Sequence, residues 1–332
     1  MLAKAVTVTG KGGTEVLRLQ DIRLPWPRGE RDVLVELRAA ALNPADIFFR
    51  RNGGYIPGSP MVLGHDGAGV VSAVGPGCTE VKLGDRVCFC DGGIGGLGTY
   101  AEAAVVDEGL LVPIPDGVAF RQAAAVGLVA ITALESFDRA RVSVGETVLV
   151  HAGAGGTGHV AVQIARLMGA RVATTVGSRD KARFVGELGA ECAVLYHETD
   201  FVATCLDWTG GQGVEVAYDN VGGETLRRTY HAMRPYGRIV TLMGVEPDLE
   251  GTAYNANLSI LNEMMLLPMW RGLKSHAAHQ AHLLGEAVRM LDEGQLKVHI
   301  AADFPLVQVA RAHALLETGQ VTGKIVLEIQ AG

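Results

Sequence analysis

The stretch that decides the fold is Thr147-Val148-Leu149-Val150-His151-Ala152-Gly153-Ala154-Gly155-Gly156-Thr157-Gly158. Its first four residues form a continuous β-branched and aliphatic run, suited to a strand buried on both faces. Residues 153–158 fit the pattern G-x-G-x-x-G. Val160, Ile164 and Leu167 then recur at one-face helical spacing, closed by Gly169. Glycines there let the chain turn sharply and let a diphosphate approach the backbone, where unpaired helix N–H groups and the helix dipole favour negative charge. Alone the pattern is weak and fits a plain tight turn. Between a buried strand and an amphipathic helix, with the next strand about one period on, it reads as a dinucleotide loop.

Outward from that loop the alternation continues. Strand candidates are residues 171–176, 193–195, 214–218 and 238–242; between them a helix with Phe184, Val185 and Leu188 ends at Gly189, and helical patterns run around 201–208 and 224–233. Strand–helix alternation with short connections implies parallel strands with helices on both faces. Before about residue 120 the chain is different, with short strands such as 33–37 and 69–74 broken by turns such as Gly75-Pro76-Gly77. Residues 91–98 are glycine-dense, but no helical pattern follows, so they read as a loop between strands. The tail mixes helical patterns near 279–291 and 307–316 with a last strand at 324–327. The expectation is an α/β chain. Residues 1–122, completed by 268–332, are expected to form a β-rich domain, and 123–267 a doubly wound parallel-sheet nucleotide domain.

Bulk properties agree with two packed domains. The chain has 332 residues, 48% hydrophobic and 20% charged, a mixture that builds cores and argues against disorder. Its formal charge is −7 with no basic run, so nucleic acid and anionic membranes are repelled and neither is an expected partner. The opening residues alternate like a strand and carry no signal-type apolar block. Residues 123–134 are nearly apolar but contain Gly127 and Thr132, and read as a buried helix too short to span a bilayer. Five cysteines without a repeated Cys-x-x-Cys suit a reducing, cytoplasmic setting.

The end of the second strand bears on the nucleotide. An Asp or Glu about 20 residues beyond the loop would hold the ribose hydroxyls of NAD. Here the residues are Gly177-Ser178-Arg179-Asp180-Lys181. A carboxylate facing a 2′-phosphate costs about 1 kcal/mol if solvated and about 4 if partly buried. With no acid at the strand end and two cations close by, the expectation is NADPH. The alternative is that Ser178 is a helix N-cap and the cations a solvated first turn, in which Asp180 blunts the field.

With these features together, the chain resembles the medium-chain dehydrogenase/reductase superfamily, and within it the zinc-free quinone oxidoreductase branch that includes the zeta-crystallin-like enzymes. The residues that carry the likeness are 40–46 (Ala-Ala-Leu-Asn-Pro-Ala-Asp), 63–71 (Leu-Gly-His-Asp-Gly-Ala-Gly-Val-Val), Gly84-Asp85-Arg86-Val87, and Gly98-Thr99-Tyr100-Ala101-Glu102. The glycine loop, Tyr218-Asp219-Asn220-Val221-Gly222, residues 312–317 and Gly323-Lys324-Ile325-Val326-Leu327 complete it. The resemblance implies a GroES-like catalytic domain and a Rossmann domain. It implies cofactor contacts from the loop residues Gly153, Ala154, Gly155, Gly156, Thr157 and Gly158, and from Thr132, Gly177, Ser178, Arg179, Lys181, Tyr196, Asn220, Met243, Gly244 and Lys324. Asn43 and Thr132 match residues at the nicotinamide end, and Lys181 and Tyr196 match 2′-phosphate ligands. Tyr196 as an ordinary surface tyrosine and Thr132 as a helix residue bonding its own backbone remain the plainer readings. A homodimer or homotetramer is also implied, with residues 257–270 as a candidate surface or else ordinary core.

Alcohol dehydrogenases of the superfamily hold zinc through an early Cys, a His and a later Cys or acid, and zinc needs three such ligands. Here His65 remains, the early position is Asn43, and the later one, near residues 130–132, has no thiol. No zinc is expected, although Asp46 and Asp66 leave room for an irregular site. Without such a Lewis acid alcohol oxidation is disfavoured, whereas an enone or quinone is already electrophilic. The expected reaction is hydride transfer to a quinone or small unsaturated carbonyl, with Asn43 donating to the developing oxyanion. Tyr55 is a candidate for orienting substrate or delivering a proton, or else a lid residue. Phe48 occupies the position five beyond Asn43, where the family often has tyrosine. Rival readings are an enoyl-thioester reductase, an atypical alcohol dehydrogenase, and an NADPH-binding structural or regulatory protein without turnover.

Overall fold

A computed structural model describes residues 2–24, 29–53, 61–90 and 97–329. The chain forms two compact units, Met1–Ile131 with Leu266–Gly332, and Thr132–Met265.

The second unit is built on six parallel strands. Their order in space is Cys192–Leu195, Arg171–Val176, Thr147–Val150, Val214–Asp219, Met233–Thr241 and Ser259–Asn262. Thr147–Val150 is central because Val148, Leu149 and Val150 have no exposed surface and need cover on both faces. From it the chain steps outward twice on one side, then returns to its other side. The strand order therefore reverses beside the glycine-loop strand, at the switch point where doubly wound Rossmann sheets take their ligands. The edge strand Ser259–Asn262 was not expected from the sequence: only Ile260 and Leu261 carry an apolar signal, between Ser259 and Asn262.

The first unit carries a seven-stranded sheet. Along its path run Ile300–Pro305, Lys324–Glu328, Asp32–Ala41, Asp66–Val74, Arg86–Cys90 and Val112–Pro113, with Ala103–Asp107 also paired to Asp32–Ala41. Val326 faces Ala41 and Leu327 faces Ala40 in an antiparallel pair, so the tail completes the N-terminal sheet. One face is held by a core of Val33, Val35, Leu37, Val71, Val87, Phe89, Ala104 and Val106. A smaller sheet joins Leu17–Arg23, Leu2–Val8 and Met61–Val62.

The helix Phe120–Arg139 is long and apolar enough to cross a membrane, but 67% of its most apolar window is buried in the fold, as a core helix would be. The sequence reading puts the domain boundary at 122/123, in the first turn of this helix, whereas the two units divide at 131/132, near its middle. Its two halves have different attachments. Leu128 donates its backbone N–H to Asp66 Oδ1 at 2.7 Å in the first unit, while the Phe137 ring packs 5.4 Å from that of Tyr218 in the second.

Candidate nucleotide-binding site and buried polar network

In the second unit the glycine loop leaves the central strand through Ala152, which adopts a left-handed φ of +49°. Gly153 donates to Thr175 O at 3.0 Å, and Ala152 donates to Thr175 Oγ1 at 3.0 Å, so the neighbouring strand fixes the turn. A side chain at Gly158 would lie 2.2 Å from Ala152 O and 2.8 Å from Gly153 Cα, both backbone atoms. Only glycine fits there. The helix Gly156–Leu167 starts from Gly155 without a side-chain cap. The N–H groups of its first turn are thus left for an anion.

The next strand end supplies the second part of the site. A side chain on Gly177 would meet the Tyr196 hydroxyl at 2.8 Å, so that hydroxyl lies directly over Gly177. Ser178 caps the helix Arg179–Glu187, its Oγ accepting from Lys181 N at 3.3 Å. The N-cap reading of Ser178 is therefore correct, yet the hydroxyl proton stays available as a donor. Arg179 is 82% exposed and leans toward Glu198 at 3.4 Å. Asp180 is taken by Arg183 at 2.7 Å. That partner, three residues on, was missed in the sequence, although i,i+3 spacing is the signal that finds it. The half-buried Lys181 has no ion-pair partner among the described residues.

The third part lies between Val214–Asp219 and Met233–Thr241. Asp219 has no exposed surface, and its carboxylate accepts from Val221 N at 3.1 Å, Gly222 N at 3.0 Å and Thr241 Oγ1 at 2.8 Å. It thereby ties the loop after one strand to the end of the next. Asn220, held in that loop, keeps a buried Oδ1 without a partner among the described residues. Such an atom costs on the order of 1–3 kcal/mol until something satisfies it. Met243 is 61% exposed and Gly244 has a φ of +91°, in the turn beside it. These groups all follow C-terminal ends of parallel strands. The orphaned acceptor, the open helix N-terminus and the cation–hydroxyl cluster fit a dinucleotide. Thr132, 4% exposed, sits in the helix Phe120–Arg139.

The first unit contains a buried polar network that the sequence did not reveal. Asn43 is wholly buried. Its Nδ2 donates to Asp66 Oδ2 at 2.8 Å, and its Oδ1 accepts from Lys324 Nζ at 2.6 Å. Lys324 also donates to Leu42 O at 2.9 Å and lies 3.6 Å from Asp66 Oδ2. Burial pushes the Lys324 ammonium down from the usual lysine range, opposed by Asp66 and Asp46. Asp46 accepts from Asn43 N at 2.8 Å, Gly64 N at 3.1 Å and His65 Nδ1 at 3.0 Å. Burial raises the Asp46 carboxyl, but His65 and the backbone N–H of Asn43 outweigh it and hold Asp46 below the usual carboxylate range. Phe49 packs 5.7 Å from the His65 ring, while Phe48 is 53% exposed. Tyr55 lies outside the described residues.

This donor set does not fit zinc. His65 offers one nitrogen, but the Asn43 oxygen already binds the Lys324 ammonium, and a cation there opposes a second one. Among the described residues no three His, Cys, Asp or Glu side chains are grouped to hold a metal.

Comparison with known proteins follows the same outline. Residues 29–116 match the family described as alcohol dehydrogenase GroES-like domain, and residues 188–327 the one described as zinc-binding dehydrogenase. A quinone oxidoreductase of Pseudomonas aeruginosa is 35% identical over 98% of this chain and 99% of its own length. The structure of Escherichia coli quinone oxidoreductase complexed with NADPH superposes with a TM-score of 0.87, at 29% identity over 98% of this chain and all of that one. A structure titled NAD-dependent alcohol dehydrogenase is also similar, with a TM-score of 0.89 and 34% identity over 98% of this chain and 100% of that one.

Proposed function

The chain belongs to the quinone oxidoreductase branch of the medium-chain dehydrogenase/reductase superfamily and is an oxidoreductase, and from that premise we propose that it uses NADPH to reduce quinones or small α,β-unsaturated carbonyl compounds without zinc. The observation that carries the cofactor choice is the cluster of Ser178, Lys181 and Tyr196 around Gly177, with Asp180 neutralised by Arg183. It offers hydroxyls and an unpaired ammonium where an NAD enzyme would present a carboxylate. Relatives bear both cofactor names, so the chain's own residues are the better guide.

When bound, the cofactor supplies hydride. The chain's part is to position the substrate and to answer the charge that develops on its oxygen. Asn43 is suited to this because its orientation is fixed: a lysine must meet the amide oxygen and a carboxylate must meet the amide N–H. One N–H goes to Asp66, and the second has no partner among the described residues. A preorganised amide donor of this kind typically contributes 10²–10³ in turnover.

Two further readings belong to the proposal. Among the described residues Ser259–Asn262 has a strand neighbour on one side, which suits a homodimer, or a homotetramer built from it, through sheet extension. Five cysteines with no disulfide among the described residues suit a reducing, cytoplasmic setting.

The test is a substrate panel of quinones, enones, acyl thioesters and saturated alcohols, each with NADPH and NADH. Quinones or enones with NADPH should be fastest. A preference for acyl thioesters would reassign the substrate class, and saturable NADPH binding with no turnover would make the chain a binding protein. Asn43→Ala should lower kcat about 100-fold while leaving the NADPH dissociation constant within about twofold. Unchanged kcat removes Asn43 from the mechanism.

A further inference from the structure

A dinucleotide loop accounts for Gly158, the open helix N-terminus and the cluster at Ser178, but not for what holds the turn that enters it. Ala152 is not a glycine, yet its φ is +49°. A left-handed alanine persists only where its surroundings fix it. Thr175, in the neighbouring strand, fixes it from both sides. Its Oγ1 accepts from Ala152 N at 3.0 Å, and its carbonyl accepts from Gly153 N at 3.0 Å. That leaves the Thr175 hydroxyl with a proton to give, and 3.2 Å away lies His151 Nδ1.

His151 has no exposed surface, and its Nε2 lies 2.9 Å from Thr229 Oγ1 at the end of the helix Gly223–Thr229. The hydrogens along this path have one consistent direction. Thr229 gives its single hydroxyl proton to Thr225 O at 2.7 Å, a carbonyl that can only accept. Thr229 therefore accepts from the ring, and Nε2 carries a hydrogen. The Phe201 ring stands edge-on 5.0 Å away, and the charge that bears on the imidazole is that of Asp219. Burial outweighs that carboxylate and pushes His151 below the usual histidine range, so the ring is neutral, Nδ1 is bare, and Thr175 donates to it. The chain runs from Ala152 N–H through Thr175 Oγ1 to Nδ1, and from Nε2–H through Thr229 Oγ1 to Thr225 O. It joins two sides of the sheet's switch point. Thr175 lies in the strand that ends at Gly177, and Thr229 in the helix entered through the Asn220 loop.

We propose that His151, as its Nε2–H tautomer, is a positioning residue for the nucleotide: it orients Thr175, and through Thr175 the left-handed turn at Ala152, in the form that receives the diphosphate. The inference rests on residues 153–158 being a dinucleotide loop. Wholly buried, the imidazole acts through Thr175 alone. Without it the Thr175 hydroxyl turns to another acceptor and the Ala152 N–H loses its anchor. A smaller fraction of the free protein then holds the cradle open, and affinity falls by that fraction. The diphosphate is common to both pyridine nucleotides, so NADPH and NADH are weakened alike. That equality separates this role from the 2′-phosphate contacts, whose loss touches NADPH alone.

The experiment titrates the intact chain with NADPH and NADH by nucleotide fluorescence. His151→Phe keeps an aromatic ring without its nitrogens, and Thr175→Val keeps the shape without the hydroxyl. Each should weaken both nucleotides about tenfold, and the double variant should lose little more than either, because the two residues act as one unit. His151→Asn, whose amide oxygen can stand in for Nδ1, should stay within about threefold of wild type. In the ¹⁵N spectrum of the free wild type, His151 Nδ1 should resonate as a bare imine nitrogen and Nε2 as a protonated one, and the Ala152 amide should exchange slowly. A folded His151→Phe variant within twofold for both nucleotides, fully additive losses in the double variant, a His151→Asn variant as weak as His151→Phe, or a protonated Nδ1 would overturn the proposal. Should His151→Phe not fold, the wild-type spectrum and the Thr175→Val titration decide it. A wild type that binds neither nucleotide would overturn the dinucleotide loop itself, and this inference with it.

Discussion

The proposed preference for NADPH rests chiefly on one charge, that of Lys181. Four other charged groups lie near it in the sequence or the fold, and they cancel in two pairs: Arg179 with Glu198 at 3.4 Å, and Arg183 with Asp180 at 2.7 Å. Lys181 is the cation left over among the described residues, half-buried in the first turn of the helix that Ser178 caps, next along the chain to the Gly177 over which the Tyr196 hydroxyl lies. An ammonium about 4 Å from a phosphate gains about 1 kcal/mol in bulk water and about 4 at the effective dielectric of a protein surface. Half-burial places Lys181 between these limits, at about 2 kcal/mol, or roughly 30-fold in affinity. Lys181→Ala should therefore weaken NADPH binding about 30-fold and leave NADH, which has no 2′-phosphate, within about twofold. The same change at Arg179 should cost less than about threefold, because that side chain is 82% exposed and already turned toward Glu198. The assay is a fluorescence titration of each reduced nucleotide at two salt concentrations, the NADPH advantage shrinking at the higher one. An equal loss of NADPH and NADH in the Lys181 variant would refute the reasoning, since it would show a general folding or pyrophosphate effect.

Two predictions concern groups away from that charge. A methyl at Gly158 meets backbone on two sides, at 2.2 and 2.8 Å, so Gly158→Ala must displace the loop; we expect nucleotide affinity to fall at least tenfold and stability by about 1–3 kcal/mol, and unaltered affinity in calorimetry would contradict the cradle. Glu263 is 6% exposed, and burial, helped by Glu135 and opposed by Arg139, pushes its carboxyl from the ordinary 4.5 up to about 7. The folded state thus binds this proton more tightly than the unfolded chain, so the stabilisation is complete below about pH 4.5 and is lost as pH rises through about 7, by roughly 3 kcal/mol in all. Glu263→Gln keeps a neutral side chain at every pH. Its melting temperature should match the wild type near pH 5 and exceed it near pH 8, and a difference independent of pH would show that Glu263 titrates normally.

What the sequence disclosed and what it hid divide along chain distance. The dinucleotide loop was legible because its constraints are local: Gly158 must avoid Ala152 O six residues back, and the strand before it must be apolar on both faces. The open helix N-terminus and the Ser178 cap belong to the same class. The edge strand Ser259–Asn262 was not legible, since two apolar residues between polar ones carry no period. Nor was the network in the first unit, whose partners meet only after the tail has folded back: Lys324 reaches Asn43 across 281 positions, and Asn43 reaches Asp66 across 23. Each of these residues could be named from motif positions, but not what it touches. Lys324 shows the consequence. Family likeness assigns it to the cofactor, yet its ammonium donates to Leu42 O and Asn43 Oδ1 and lies 3.6 Å from Asp66 Oδ2. Releasing Asn43 to turn elsewhere would free the amide that the proposed mechanism needs held. The arrangement therefore favours a lysine that acts on the reaction through Asn43, and it does so on distances that no motif encodes.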